Sequence, residues 1–600
     1  MSAILMSIDA ESRAEELLGR MHLEHKLGQM IQAERASTTP DDVARYHLGS
    51  VLSGGGSVPG DNRVADWVAM HDAYWAASMR DEPGRVPVPL LYAIDAIHGN
   101  ANVRGATVFP HNIGLGAARE PALIERVARV CAEEVLATGL DWTFAPTLAV
   151  GRNIKWGRTY ESFSEDPAVV ASYAAGYVRG LQGALDDHGV MACAKHWIGD
   201  GGTTGGVDQG DTALPEEELL RVHGAGYGPA VAAGVLTVMA SFNSWNGEKC
   251  HASRSLLTDV LKGRMGFDGF VVSDWDGVDQ LDDDLATALA QAINAGVDMV
   301  MVSVDWRRML ATLHQLVQDG CVPMARIDDA VRRILQVKAR AGLFERPRPA
   351  ARPWAGSTAF GGAEHRAVAR EAVRKSLVLL AHPQPVLPLP KDARVLVAGK
   401  NADDRGHQCG GFTVAWQGVS GNDAIEGGTS IWEGIRAVAP HAELSVDGRA
   451  ADAARHDVAI VVIGETPYAE GMGDIRHGGA VPRGSGVQTM TNLAPYGRSL
   501  VLAEQHPEDL ATIAHIRAQG IPVVTVLVSG RPLVVEAELA ASAAFVAAWL
   551  PGSEGAGVAD VLFGDHDFQG TLPFTWPATD EGAYGRVVPA LPLGHGLTLR

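Results

Sequence analysis

The chain has 600 residues, 46% of them hydrophobic and 20% charged, with a formal net charge of -21. That length is too great for one ordinary core and implies two large domains or three to four small ones. The negative balance excludes nucleic acid and anionic membrane surfaces as partners and leaves neutral ligands.

Residues 1–10 have neither a basic start nor a long apolar stretch, so they do not read as a secretory leader. The expectation is a cytoplasmic protein, with periplasm or secretion left open for a trimmed N-terminus. No apolar run is long enough to cross a bilayer. The five cysteines, Cys131, Cys193, Cys250, Cys321 and Cys409, are odd in number and form no CxxC pair. They argue against a disulfide framework or a zinc site and are expected to be mostly small buried residues.

An amphipathic helix is predicted over 11–20. Eight short apolar runs then recur with turn residues around them: 28–33, 49–53, 90–94, 142–145, 191–194, 236–240, 269–272 and 299–302. Helical patterns at 121–138, 166–182, 215–233 and 283–294 lie between several of them, the last opened by three aspartates suited to a helix N-terminus. Strands alternating with helices imply parallel βαβ units, and eight in about 300 residues predict a (β/α)8 TIM-type barrel over residues 1–344. The segment 345–361, with a Pro-rich and basic start, reads as a semi-rigid linker. A second α/β domain is predicted over 362–600, with helices at 364–376 and 507–519 and strands at 395–398, 458–463, 523–528 and 544–549.

In barrels of this kind, functional side chains gather at the C-terminal ends of strands. Here those ends carry Asp95, the run Lys195-His196-Trp197, Phe242, and Ser273-Asp274-Trp275. Asp274 ends an apolar strand, where it is either a nucleophile or a helix cap. Arg158 can clamp a ligand or pair with Glu161. Lys195 can donate to a ligand or pair with Asp200, and Asp95 can meet a ligand or pair with Arg104 or Arg158. His98 reads as a loop-packing histidine. In the second domain, two loops carry Trp416, Glu465 and Glu470. Paired carboxyls with aromatic walls suit glycosidic cleavage, in which one acid protonates the leaving oxygen and another attacks or activates water.

The motifs AIDAIHG (93–99), GRTYES (157–162), KHWIGDGGT (195–203), VSDW (272–275), CGGFTVAWQG (409–418), GETPYAEGMGD (464–474) and PLGHGL (592–597) occur in that order. Together they resemble the glycoside hydrolase family 3 β-glucosidases and β-glucan exohydrolases, over nearly the whole chain. The resemblance implies a TIM-type barrel followed by an (α/β)6 sandwich with the site between them, and a retaining mechanism without cofactor or metal. It implies Asp274 as nucleophile and Glu470, ahead of Glu465, as acid/base. It also implies Asp95, Arg158, Lys195, His196, Trp275, Met239 and Phe242 around the glucosyl unit, with Trp416 as the second wall of an aromatic clamp. Phe242 departs from a tyrosine common in relatives, and Gln209 from an acid of the plant enzymes.

The function expected is an exo-acting β-glucosidase that releases glucose from β-glucosides and β-gluco-oligosaccharides, tolerant of β-1,3 and β-1,4 linkages. Alternatives are a β-xylosidase, and a β-N-acetylglucosaminidase, which KHWIGDG in place of KHFPGHG disfavours. From other classes come a Schiff-base aldolase using Lys195 and a non-catalytic sugar-binding protein.

Overall fold

A computed structural model describes residues 2–185, 188–476, 497–580 and 589–599. Eight parallel strands close a barrel: β1 (Ile31–Glu34), β2 (Ser50–Ser53), β3 (Leu91–Ile94), β4 (Trp142–Thr143), β5 (Cys193–Trp197), β6 (Thr237–Ala240), β7 (Phe270–Val272) and β8 (Val300–Val302). β8 pairs with β1 through Ile31 and Val300, so the sheet has no edge there. Two seams are held by isolated parallel bridges, Trp142 with Met191 and Thr147 with Lys195 at one, and Val272 with Met299 at the other. Every barrel-strand residue is buried. Parallel strands covered on both faces must be apolar almost throughout, which is why they stand out in the sequence.

The helices follow the caps encoded beside them. Asp166 accepts from Ala168 N at 2.9 Å to start Pro167–Gln182, and Asp284 accepts from Thr287 N at 2.9 Å to start Leu285–Ala295. The helix predicted over 215–233 is instead two, Glu216–Val222 and Tyr227–Ala232. Gly224 and Gly226 lie at the break, where helix propagation is weakest. The first helix is longer than predicted, Ser2–Arg20, and packs on Met324–Arg340. Four of the five cysteines are buried, as expected for most of them, and Cys321 is exposed.

The segment 345–361 lies along the barrel wall. Arg346 and Arg352 both reach the fully buried Asp141 beside β4, at 3.3 and 2.6 Å. Arg348 pairs with Asp72. The second domain is an open six-stranded sheet in the order β9-β14-β13-β12-β10-β11. Here β9 is Val378–Ala381, β10 Val395–Ala398, β11 Glu443–Leu444, β12 Val458–Gly464, β13 Val523–Val528 and β14 Ala544–Trp549. Only β9, at one edge, is antiparallel. The domains share backbone hydrogen bonds, including His111 N to Leu550 O at 3.2 Å and Thr571 N to Ala117 O at 3.0 Å.

Replacing Asp141 with Ala leaves two buried guanidinium groups without their common anion. We expect a loss of about 3–5 kcal/mol, read as an earlier denaturant midpoint. An unchanged midpoint would show that the strap contributes nothing to stability.

Candidate active site

The barrel mouth assembles a nearly closed polar network. Lys195 and His196 lie within β5, not beyond it as predicted. The chain stays extended there because Lys195 N donates to Pro146 O (3.0 Å) and Leu148 N donates to Lys195 O (2.6 Å). Lys195 Nζ donates to Asp95 Oδ1 at 2.7 Å. Asp95 therefore pairs with neither Arg104 nor Arg158, and Lys195 does not pair with Asp200. Arg158, from the β4–β5 connection, forks onto Glu161 at 2.7 and 3.0 Å. Its Nη2 also lies 3.2 Å from His196 Nε2.

Guanidinium groups only donate, so His196 Nε2 accepts. The imidazole proton then sits on Nδ1, which donates to Asp200 Oδ2 at 2.7 Å. Burial, reinforced by Arg158 and Lys195, holds the His196 pKa well below its usual value, so the ring is neutral.

Asp274 follows β7 and caps no helix; a turn intervenes before Leu285–Ala295. Its backbone N donates to His251 Nε2 at 3.0 Å, and its Oδ1 accepts from Trp275 N at 2.7 Å. Oδ2 is buried without a hydrogen-bond partner, 3.6 Å from the accepting nitrogen of His196. One carboxylate oxygen is pinned and the other keeps its lone pairs free. His251 escaped the sequence reading: it lies outside the barrel strands, 23 positions upstream of the residue it orients.

Met239 is buried in β6, and Phe242 lies just past that strand. Phe242 lines a cleft of about 710 Å³ together with Gly54, Gly55, Trp275, Trp416 and Glu470. The loop after β2 packs against the Trp275 ring and against the backbone of Trp416. A Cβ on Gly54 would lie 2.8 Å from the Trp275 ring, and one on Gly55 would lie 2.8 Å from Trp416 Cα. Only glycine permits this approach. The sequence shows the Gly54–Gly56 run but nothing of what rests on it.

Glu470 begins the turn Glu470–Gly473 of the second domain, and its Oε1 accepts from Trp416 Nε1 at 3.1 Å. Glu465 is engaged elsewhere. It is buried, accepts from Tyr468 Oη (2.9 Å) and Gly530 N (2.8 Å), and lies 3.2 Å from Arg531 Nε. His98 is likewise internal, stacked on His111 with centroids 3.6 Å apart and bonded to Phe109 O at 3.0 Å.

Asp274, next to the cleft residue Trp275, and Glu470, which lines the cleft, are tuned apart. Burial raises Asp274 to about 6, with Arg158, the Trp275 N–H and Lys195 pulling it down. Burial raises Glu470 to about 8; Arg158 opposes this, while Asp208, Asp274 and Glu161 add to it. Near neutral pH one carboxyl is ionised and the other protonated, the pairing needed for a nucleophile and a general acid. Lys195 stays an ammonium: burial lowers its pKa, but Asp95 and Glu161 more than offset that. This removes the free amine that a Schiff-base reaction needs.

Residues 22–337 match the glycosyl hydrolase family 3 N-terminal domain, and 377–598 the family's C-terminal domain. The lysosomal beta glucosidase of Dictyostelium discoideum is 31% identical, over 94% of this chain and 72% of its own. The periplasmic beta-glucosidase of Salmonella typhimurium is 30% identical, over 94% and 73%. Among solved structures, the exo-1,3/1,4-beta-glucanase from a Pseudoalteromonas species superposes with a TM-score of 0.92 at 44% identity, over 99% of this chain and 74% of that one. The beta-glucosidase from Listeria innocua in complex with glucose superposes with a TM-score of 0.81 at 26% identity, over 98% and 83%.

Proposed function

This chain belongs to glycosyl hydrolase family 3, and on that premise we propose that it is a retaining exo-β-glucosidase acting on β-glucosides and β-gluco-oligosaccharides. The observation that carries the reading is the pair of oppositely tuned carboxyls, one from each domain and near enough for Asp274 to raise the Glu470 pKa, with Glu470 and Trp275 lining one cleft. The names of its relatives, β-glucosidases and an exo-1,3/1,4-β-glucanase, support glucose as the unit removed.

In the proposed reaction, Asp274 Oδ2 attacks the anomeric carbon while Glu470 gives its proton to the departing oxygen. A covalent glucosyl-enzyme results. Glu470, now ionised, takes a proton from water, which attacks the same carbon and releases Asp274. The glycone hydroxyls meet Asp95, Lys195, Arg158 and His196. Their mutual ion pairs hold these groups in place before substrate arrives, so little ordering is left to binding. Trp275 and Trp416 take the leaving sugar between them. Stacking fixes a ring plane rather than a bond type, which supports tolerance of β-1,3 and β-1,4 linkages.

A 2-deoxy-2-fluoro-glucoside should trap the intermediate, and peptide mapping should find the label on Asp274; a label elsewhere removes Asp274 from this role. A panel of laminaribiose, cellobiose and aryl xyloside then sets linkage and sugar preference.

The pH profile of kcat/KM should be a bell. Asp274 must be ionised, so activity rises through about 6. Glu470 must be protonated, so activity falls through about 8. Glu470→Gln should remove the alkaline limb along with most turnover of unactivated glucosides; a retained limb would assign it to another group.

Trp416→Ala should raise KM for laminaribiose about tenfold while changing KM for an aryl glucoside less. Trp416→Phe should recover most of that binding and still lack the bond to Glu470, leaving a lower kcat. Equal KM losses on both substrates would argue against the clamp.

A further inference from the structure

The acid/base candidate belongs to a different domain from the nucleophile, so something must fix its loop against the barrel. The contacts of that loop converge on Asp474, four residues past Glu470. Asp474 Oδ1 accepts from Gly157 N at 2.7 Å, and Oδ2 accepts from Asp208 N at 2.9 Å. Both donors belong to barrel loops, and Arg476 pairs with the same carboxylate from its own domain. Asp474 is fully buried, so these bonds form in a medium that strengthens them, while the same burial raises its pKa to about 7 against the pull of Arg476 and the Asp208 N–H.

Gly157 is the anvil for this arrangement. A Cβ there would lie 1.9 Å from Glu470 O and 2.8 Å from Asp474 N, so the loop backbone rests directly on it. Its neighbours extend the connection. Trp156 Nε1 donates to Asp208 Oδ1 at 3.0 Å, and Arg158 forms the fork to Glu161 beside His196. On the other side, Arg531 Nη2 donates to Gly473 O at 2.6 Å, tying the loop to its own domain.

We propose that Asp474 is the positioning residue for Glu470: by accepting two barrel N–H groups it registers the second-domain loop on Gly157 and Asp208 and aims the acid at the departing oxygen. This rests on the reading of Glu470 as acid/base. A carboxylate is required because both its oxygens accept from the barrel. An amide at 474 offers one acceptor and turns an N–H₂ toward a donor.

The test separates acid catalysis from general damage. Laminaribiose has a poor leaving group and needs the acid, whereas 2,4-dinitrophenyl β-glucoside hardly does. Asp474→Asn should lower kcat/KM on laminaribiose by about 100-fold, the cost of a misplaced catalytic group. On the dinitrophenyl substrate the loss should stay under about fivefold. Gly157→Ala, which pushes on Glu470 O without removing a charge, should show the same leaving-group dependence, and it decides the matter if Asp474→Asn does not fold. Equal losses on both substrates, or wild-type rates, would overturn the proposal. Glu470→Gln is run alongside: if it shows no leaving-group dependence, the acid/base reading of Glu470 itself fails, whatever the Asp474 variant does.

Discussion

One buried guanidinium, with the Lys195 ammonium beside it, is central to the charge balance of the site. The Arg158 guanidinium is forked onto Glu161, and its field also reaches Asp200, Asp208, Asp274 and Glu470. Burial alone would push every one of these acids toward the neutral form. Arg158 pulls against that at each of them, so it cannot by itself separate Asp274 from Glu470. The separation comes from the remaining neighbours. Asp274 also has the Trp275 N–H and the Lys195 ammonium, whereas Glu470 has the nearby Asp208, Asp274 and Glu161. One shared cation and two unequal surroundings place the carboxyls on opposite sides of neutrality.

The same balance defines what Lys195 can do. In a barrel, a lysine on an inner strand invites comparison with imine-forming enzymes. Here its 2.7 Å contact with Asp95 keeps it charged, and charge makes it a hydrogen-bond donor rather than a nucleophile. His196 is fixed by similar logic. Its proton goes to Asp200 because Arg158 can only donate, and so the free oxygen of Asp274 has no donor competing for it.

Much of this was legible in the sequence because parallel barrel strands must be apolar on both faces. Runs such as Leu91–Ile94 announce themselves, and the polar residue that ends each run is then conspicuous. Asp95 and Asp274 were found in this way, and the resemblance of the GETPYAEGMGD loop ranked Glu470 above Glu465. The pairing of charges was not legible. Asp95 and Lys195 are 100 positions apart, and nothing local selects them over Asp200 or Arg104. His251 acts through one lone pair and Gly54 through the absence of a side chain; neither leaves a pattern. The break between Glu216–Val222 and Tyr227–Ala232 was visible as glycines, but helical periodicity outweighed them.

The glycine loop after β2 has a further mechanical result. Trp275 belongs to the barrel and Trp416 to the second domain, yet both lean on consecutive residues of one strand-end turn. Consecutive Cα atoms are about 3.8 Å apart, so two neighbouring glycines set how closely one barrel tryptophan and one second-domain tryptophan can approach the same turn. The spacing of these two aromatic residues is thereby referred to one short stretch of backbone that carries no side chain of its own.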